Sequence, residues 1–539
     1  MDIVTFFPFL RVPGEFTEAE SSGSLAVHHD LLHWALLTGT IRRGWILPDR
    51  MNVFGREQPV ERMYRALESF PEEVRNRTAI ISALALIQNE TSEKSFLALG
   101  KSSEILELMA LRNHMRSPTA VCGLVHSCLF PGTITTYCGA LLNARDGDVL
   151  CVTSTAAMQA TCALLDQAQD YLDHQLGAVT KHLRERLRLV LTPLALGDDW
   201  VYPVDRGYAR DILGLPQDSL VVLYFGRISR EYKADLAPLL LAFHQLRKSH
   251  PRAQLIIAGS DIHAGPDEHL RAQVHQLGIF ESTQIRRNVA PPLKRLLFAA
   301  ADFFASPSDN VVESFGLSIL EAMGAGLPVI ASDWSGYRDL IDHEVTGFLV
   351  RTTICDSVWS EASALAEFAV TPHAEYYLAR QTWLDSCDLV ARMELLACDR
   401  ELRLRMGDAA RRRVAQQYVW SKAIQKFAGV WAESIIAASK SCSSPVPTLD
   451  LEGIFGRYSS SRLYPSDPQF LTASPLADEE LLSRIPMDQE TRRLLTSCRE
   501  RPMLLPILWR SGAEVRDRVC WLLKQGLVRL SRVPVPDQL

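Results

Sequence analysis

Two carboxylates, Glu313 and Glu321, stand eight positions apart in Glu-Ser-Phe-Gly-Leu-Ser-Ile-Leu-Glu. Two cations, Arg227 and Lys233, lie upstream in Phe-Gly-Arg-Ile-Ser-Arg-Glu-Tyr-Lys. An arginine presents a planar fork and a lysine a mobile point charge, and together they suit a polyanion such as a diphosphate. A carboxylate repels phosphate but accepts hydrogen bonds from paired hydroxyls. The four residues therefore fit a molecule that is anionic at one end and rich in hydroxyls at the other.

The elements around these residues follow from the pattern. Residues 296–305 (LLFAAADFFA) are apolar and run into Ser306-Pro307-Ser308, which predicts a helix, a short buried strand and a loop. Residues 314–325 carry apolar positions at helical spacing, Leu317, Leu320 and Met323, and end on Gly324 and Gly326. Glu313 then falls in the loop before a helix, with Phe315, Gly316 and Leu317 in the first turn and Glu321 about two turns in. A helix start has unpaired N–H groups and partial positive charge, so it accepts an anion. Gly316 lets that backbone come close. Arg227 and Lys233 follow the apolar strand 220–225 (LVVLYF) and project from its C-terminal end, where open α/β sheets bind ligands.

The ordered set of Arg227, Lys233, Glu313, Phe315-Gly316-Leu317, Glu321 and the tail Gly-Ala-Gly-Leu-Pro-Val-Ile resembles the donor site of retaining glycosyltransferases of the two-domain GT-B type, glycosyltransferase family 4 (group 1). The resemblance implies that Arg227, Lys233 and the Phe315–Leu317 amides hold a diphosphate. It implies that Glu321 holds the ribose and Glu313 the transferred sugar. The donor is a nucleotide-diphosphate sugar, a UDP-sugar ahead of a GDP-sugar, with no tightly bound cofactor and no metal. The family also has a glycine-rich turn after its first strand, which falls here on Ser21-Ser22-Gly23-Ser24. It has a histidine at a strand end near the anomeric carbon, which falls on His126 after residues 117–125. The implied reaction is metal-independent transfer with retention, catalysed by Glu313, His126, Arg227 and Lys233.

The chain of 539 residues is long enough for two or three domains. The expected fold is α/β: two Rossmann-like domains facing a cleft, plus a small, mainly helical, winged-helix-like C-terminal module. Residues 1–205 form the acceptor-side domain and 206–438 the nucleotide-sugar domain. Residues 439–487 read as a Ser/Pro-rich linker and 488–539 as the small module. Within the first domain residues 65–115 read as mostly helical, and within the second residues 353–392 read as an inserted helical segment. The last helix of the second domain is expected to cross back onto the first. Residues 488–532 carry ten Lys or Arg against five Asp or Glu. The module reads first as a helical appendage packed on the body or a dimer contact, then as a protein- or peptide-recognition unit, and last as a DNA-binding one.

A hydrophobic fraction of 47% and a charged fraction of 22% are ordinary for a globular protein, and a net charge of −6 argues against general nucleic-acid binding. Eleven cysteines without a CxxC motif point to a reducing cytoplasm. No run of about 20 apolar residues suggests a membrane span, so membrane contact is at most peripheral. Asp146-Gly147-Asp148 has the form of a metal-holding DxD but sits in a polar turn, where turn chemistry explains it. His28, His29 and His33 lack partners at metal spacing. The basic run 181–188 (KHLRERLR) reads as a solvated face. The acceptor stays open among glycan, lipid, small molecule and peptide. A phosphorylase, a sugar-nucleotide epimerase and a non-catalytic scaffold acting through the C-terminal module are the rival readings.

Overall fold

The computed structural model describes residues 2–6, 31–32, 34–37, 42–47, 67–68, 70–80, 86, 95–115, 117–177, 182–260, 268–355, 359–368, 371–440, 468–475, 477 and 479–531. Gly23 and the three histidines near residue 30 lie outside these. Two compact units, Met1–Val446 and Pro447–Leu539, divide the chain.

The first unit holds two parallel sheets. One is built from β1 (Asp2–Phe6), β2 (Arg43–Leu47), β3 (Thr78–Ile80), β4 (Phe96–Lys101), β5 (Thr119–Val125), β6 (Val149–Val152) and β7 (Arg188–Leu191), in the order β3-β2-β1-β4-β5-β6-β7. The helix α1 (Thr155–Leu176) follows β6, with the Ser154 hydroxyl accepting from the Ala157 N–H at its start. The second sheet is built from β8 (Val221–Phe225), β9 (Gln254–Gly259), β10 (Thr283–Arg287), β11 (Phe303–Ser306), β12 (Val329–Ser332) and β13 (Gly347–Val350), in the order β10-β9-β8-β11-β12-β13. Strands of this kind are buried on both faces, which explains runs such as Val221–Tyr224 and Phe303–Ala305 that are apolar without alternation. In each sheet the order reverses beside the first strand, between β1 and β4 and between β8 and β11. Such switch points open the crevice in which doubly wound sheets hold ligands.

The second sheet is flanked by α2 (Ala237–Ser249), α3 (Pro291–Ala300) and α4 (Leu317–Gly324). After β13 come β14 (Thr352–Ile354), α5 (Trp359–Phe368), α6 (Thr371–Arg380), β15 (Thr382–Leu384) and α7 (Ser386–Cys398). The insertion expected to be helical is thus closed at its base by an antiparallel β14–β15 pair. The last helix of the unit, α8 (Trp420–Lys440), crosses onto the first sheet's domain. Trp420 and Trp431 are fully buried, Arg188 pairs with Glu433 at 2.8 Å, and Gly147 packs so closely on Ser434 that a Cβ would meet its carbonyl oxygen at 2.3 Å. The basic run at 181–188 is used internally as well, Arg184 pairing with Asp166 at 3.0 Å. No described helix is long and apolar enough to cross a membrane.

Two expectations are corrected. Residues 65–115 contain β3 and the central strand β4, whose residues Phe96 to Gly100 are all buried. Leu and Ala favour helix by propensity, but a slot between β1 and β5 overrides that. In the second unit, β16 (Phe470–Ala473) and α9 (Glu479–Arg484) form inside the stretch read as linker. With α10 (Gln489–Glu500), β17 (Met503–Leu504), α11 (Leu505–Arg510), α12 (Ala513–Lys524) and β18 (Val528–Ser531), they make a three-stranded antiparallel sheet, β17-β16-β18, packed against helices. Phe470–Ala473 supplies the central strand, so the module cannot begin as late as residue 488.

Candidate active site

Arg227 and Lys233 leave the C-terminal end of β8, and Glu313 to Leu317 follow the C-terminal end of β11. The two loops meet at the switch point of the second sheet. The β8 end is shaped by backbone contact. Gly259 (φ 141°) closes β9 against Gly226, whose carbonyl oxygen would lie 1.8 Å from an added Cβ. The Tyr224 hydroxyl donates to the Arg227 carbonyl at 3.1 Å. Arg227 itself is half-buried, and among the described residues no carboxylate lies within ion-pair distance of its guanidinium.

Lys233 and Glu313 form a direct ion pair, with side chains only 16% and 9% exposed. Glu313 also accepts from the Tyr337 hydroxyl at 3.1 Å and from the Phe315 N–H at 3.2 Å. Burial pushes the Glu313 carboxyl up. Lys233, Phe315 and Tyr337 together outweigh burial and hold it below the ordinary value. The cation and the carboxylate that the sequence assigns to opposite ends of a ligand therefore pair directly with each other.

The helix start differs in one detail from expectation. α4 begins at Leu317, with Gly316 in left-handed backbone (φ 111°) as its N-cap and Phe315 one residue outside. Gly316 is required on two counts, since an added Cβ would also lie 2.6 Å from the Tyr337 ring. No side chain caps this helix. Ser318, in its first turn, has a buried hydroxyl with no hydrogen-bond partner among the described residues. A capless helix start with an orphaned hydroxyl in its first turn suits an anion. Glu321 is 8% exposed, on the same helix, and pairs with Lys294 of α3. Lys294 lies over the Phe225 ring at 4.8 Å, which ties the Glu321 carboxylate to the end of β8.

The first domain meets the site through a chain of hydrogen bonds. The Ser314 hydroxyl donates to the His126 carbonyl at 2.6 Å, and the Ser154 hydroxyl donates to the Ser314 carbonyl at 2.6 Å. The Thr155 N–H donates to the Asp339 carboxylate at 2.6 Å. His126, just after β5, therefore lies across the cleft from Glu313. Burial, helped by Lys101, lowers its imidazole to about 3, so it is neutral at any physiological pH. The DxD-like turn serves structure. Asp148 is buried, pairs with Arg112 and accepts from the Val121 and Arg145 N–H groups.

Three polar residues near the site were not legible in the sequence. Lys294 has no motif around it. Asp309, in the β11 loop, and Glu375, on α6, are carboxyls that burial raises to about 7. Glu375 is 5% exposed and is influenced by Arg227. Its neighbours tie the insertion to both loops: Arg230 lies 5.5 Å over the Tyr376 ring, and Tyr377 and Val311 both pack against the small cluster around Ala362 and Leu378.

Fold and site together define a two-domain protein of the GT-B type, with the candidate site at the switch point of the second sheet. Residues 205–366 match the family model described as Glycosyl transferases group 1. The chain is 34% identical over 184 residues to a D-inositol 3-phosphate glycosyltransferase of Saccharomonospora viridis (33% of this chain, 41% of the relative). It is 28% identical over 284 residues to the protein of the same name from Geodermatophilus obscurus (51% of this chain, 53% of the relative). The chain thus spans about half or less of these relatives' length. Among solved structures, sucrose-phosphate synthase of Thermosynechococcus elongatus superposes over 81% of this chain and 99% of its own, with a TM-score of 0.54 and 17% identity. Anabaena HepE in complex with UDP-glucose covers 80% of this chain and 99% of its own, with a TM-score of 0.50 and 17% identity. These neighbours establish the shared fold, and the resemblance to group 1 glycosyltransferases, family 4, holds.

Proposed function

We propose that this chain transfers a glycosyl group from a nucleotide-diphosphate sugar to an acceptor, with retention at the anomeric carbon. The observation that carries the reading is the meeting of Arg227, Lys233, Glu313 and the capless start of α4 at one switch point. Arg227, Lys233 and the N–H groups around Leu317 take the diphosphate. Glu321, steadied by Lys294, accepts from the ribose hydroxyls. Glu313 accepts from hydroxyls of the transferred sugar once Lys233 has turned to phosphate. A UDP-sugar is favoured because a structural neighbour carries UDP-glucose, and a GDP-sugar is the second choice.

In the proposed reaction the bond from the anomeric carbon to the β-phosphate oxygen breaks. The acceptor oxygen bonds to the same face, and its proton passes to the leaving phosphate. No protein nucleophile is needed. Catalysis is electrostatic and positional, with Arg227 and Lys233 stabilising charge on the departing diphosphate. His126, neutral and across the cleft, serves as a hydrogen-bonding wall near the anomeric carbon and not as a proton donor. Gly23 belongs to the same reading as the acceptor-side turn.

Release of UDP from UDP-glucose, followed with and without candidate acceptors and with the product anomer assigned by NMR, tests the reading. Retained configuration in the product supports it. An inverted product, or interconversion of the sugar with no UDP released, contradicts it.

A further inference from the structure

On the face of the second domain away from the crevice, three side chains of metal-ligating type converge. His250 follows the last residue of α2 and lies four residues before β9 begins, so it sits at the N-terminal edge of the sheet. Glu394 and Cys398 are one helical turn apart on α7, and Cys398 is its last residue. The Cys398 sulfur is 3.9 Å from His250 Nε2, and Glu394 Oε2 is 3.5 Å from His250 Nδ1. One ligand atom from each residue can be chosen so that all three lie within 4.8 Å of one another.

We propose that His250, Glu394 and Cys398 form a site for a divalent transition metal, Zn²⁺ by preference, that staples the end of α2 to the end of α7. Four observations converge. The first is the donor set: a thiolate with an imidazole selects a borderline ion such as Zn²⁺ over Mg²⁺ or Ca²⁺, which take oxygen ligands. The second is spacing. Zinc at about 2.3 Å from sulfur and about 2.0 Å from nitrogen in a tetrahedron separates the two by about 3.5 Å. The observed 3.9 Å is a small side-chain rotation away. The third is the outer shell. With Nε2 on the metal beside Cys398, Nδ1 faces the Ser249 hydroxyl at 3.0 Å; that hydroxyl holds Glu394 Oε1 at 2.5 Å, and Glu394 Oε2, which now stands beside Nδ1, must rotate to reach the ion. A hydrogen-bonded second nitrogen is the usual way a metal-binding imidazole is oriented. The fourth is the field. Both helices end here, so two negative macrodipole ends point at the site.

Binding is balanced by loss of one proton from the Cys398 thiol to water, so affinity falls as the pH falls. Cys398 is exposed and His250 half-buried, so water can reach the fourth position. The site touches none of Arg227, Lys233, Glu313 or Glu321, so its loss leaves nucleotide binding in the crevice unchanged.

The test uses the full chain, with alkylation of each cysteine followed by peptide mass spectrometry. Cys387, exposed near the start of α7, is the internal control. Zn²⁺ is expected to protect Cys398 but not Cys387, Mg²⁺ to protect neither, and His250→Ala to abolish the protection. Co²⁺ is expected to give a thiolate charge-transfer band that Cys398→Ser removes. Alkylation of Cys398 at an unchanged rate with Zn²⁺ overturns the site. So does equal protection in His250→Ala, which would mean a thiol binding metal alone.

Discussion

Replacing Glu313 by Gln separates two roles that one carboxylate holds. It pairs with Lys233 in the structure, and in the proposed complex it must release Lys233 to the diphosphate. Two charges about 3 Å apart attract by about 5 kcal/mol at an effective dielectric constant of about 20, before desolvation is subtracted. Truncating one partner of such a pair typically costs about 2–5 kcal/mol, much of it from the charge left alone. In Glu313→Gln that lone charge is Lys233, and a diphosphate restores its partner. The glutamine stays in place, because its carbonyl oxygen, standing where Oε1 was, still accepts from the Phe315 N–H, and its NH2, standing where Oε2 was, donates to the Tyr337 hydroxyl, whose own proton turns to Ser306. UDP should therefore bind at least about tenfold tighter, about 1.4 kcal/mol, while glycosyl transfer falls. Isothermal titration of UDP into both proteins, with folding checked by circular dichroism, decides it. Unchanged or weaker UDP binding in the variant would refute the competition between Glu313 and the diphosphate for Lys233.

Other outcomes follow from the same geometry. Arg227→Ala removes one stabiliser of the departing diphosphate and should lower turnover by the equivalent of about 2.7–4 kcal/mol, measured as UDP release. Gly316→Ala meets both a strained φ and the Tyr337 ring, so its melting temperature should fall, by the equivalent of about 1–3 kcal/mol for the backbone strain alone. Glu375, raised to about 7, contributes stability that is fully present below its unfolded pKa and is lost as the pH rises through about 7. Glu375→Gln should therefore be more stable than wild type at pH 8, on the order of 2 kcal/mol, with no such gain at pH 5 in denaturant titrations. His126 works in the opposite sense. Its lowered pKa contributes stability that is present above about 6.5 and is lost as the pH falls toward about 3, a slope that His126→Asn should flatten.

The meeting of the residues proposed for the donor was legible because they are contiguous in two segments. Arg227 and Lys233 share one loop, Glu313 to Glu321 share one loop and helix, and the apolar strands β8 and β11 before them are unmistakable in pattern. The ion pair between the two segments was not legible, because it depends on strand order, which brings β8 beside β11 across some eighty residues of sequence. Lys294 and Glu375 were hidden for the same reason. Each sits on a helix with no motif of its own and reaches the site only through packing. β4 was misread because Phe-Leu-Ala-Leu-Gly-Lys carries helix-forming residues, and β16 because it is a lone strand between Pro-rich chain and helices. The acceptor half gave least. Its expected glycine-rich turn offers a single glycine, Gly23, which lies outside the described residues, and the carbonyl of its histidine is already held by Ser314.

The most direct test of the central claim is a thermal-shift titration of the full chain with UDP, GDP, ADP and their common sugar forms, repeated on Arg227→Ala. Only a ligand that prefers the folded state raises its melting temperature. The account predicts stabilisation by one nucleotide diphosphate, UDP first, that is lost in Arg227→Ala. No stabilisation by any nucleotide, or an equal shift in wild type and variant, would contradict it.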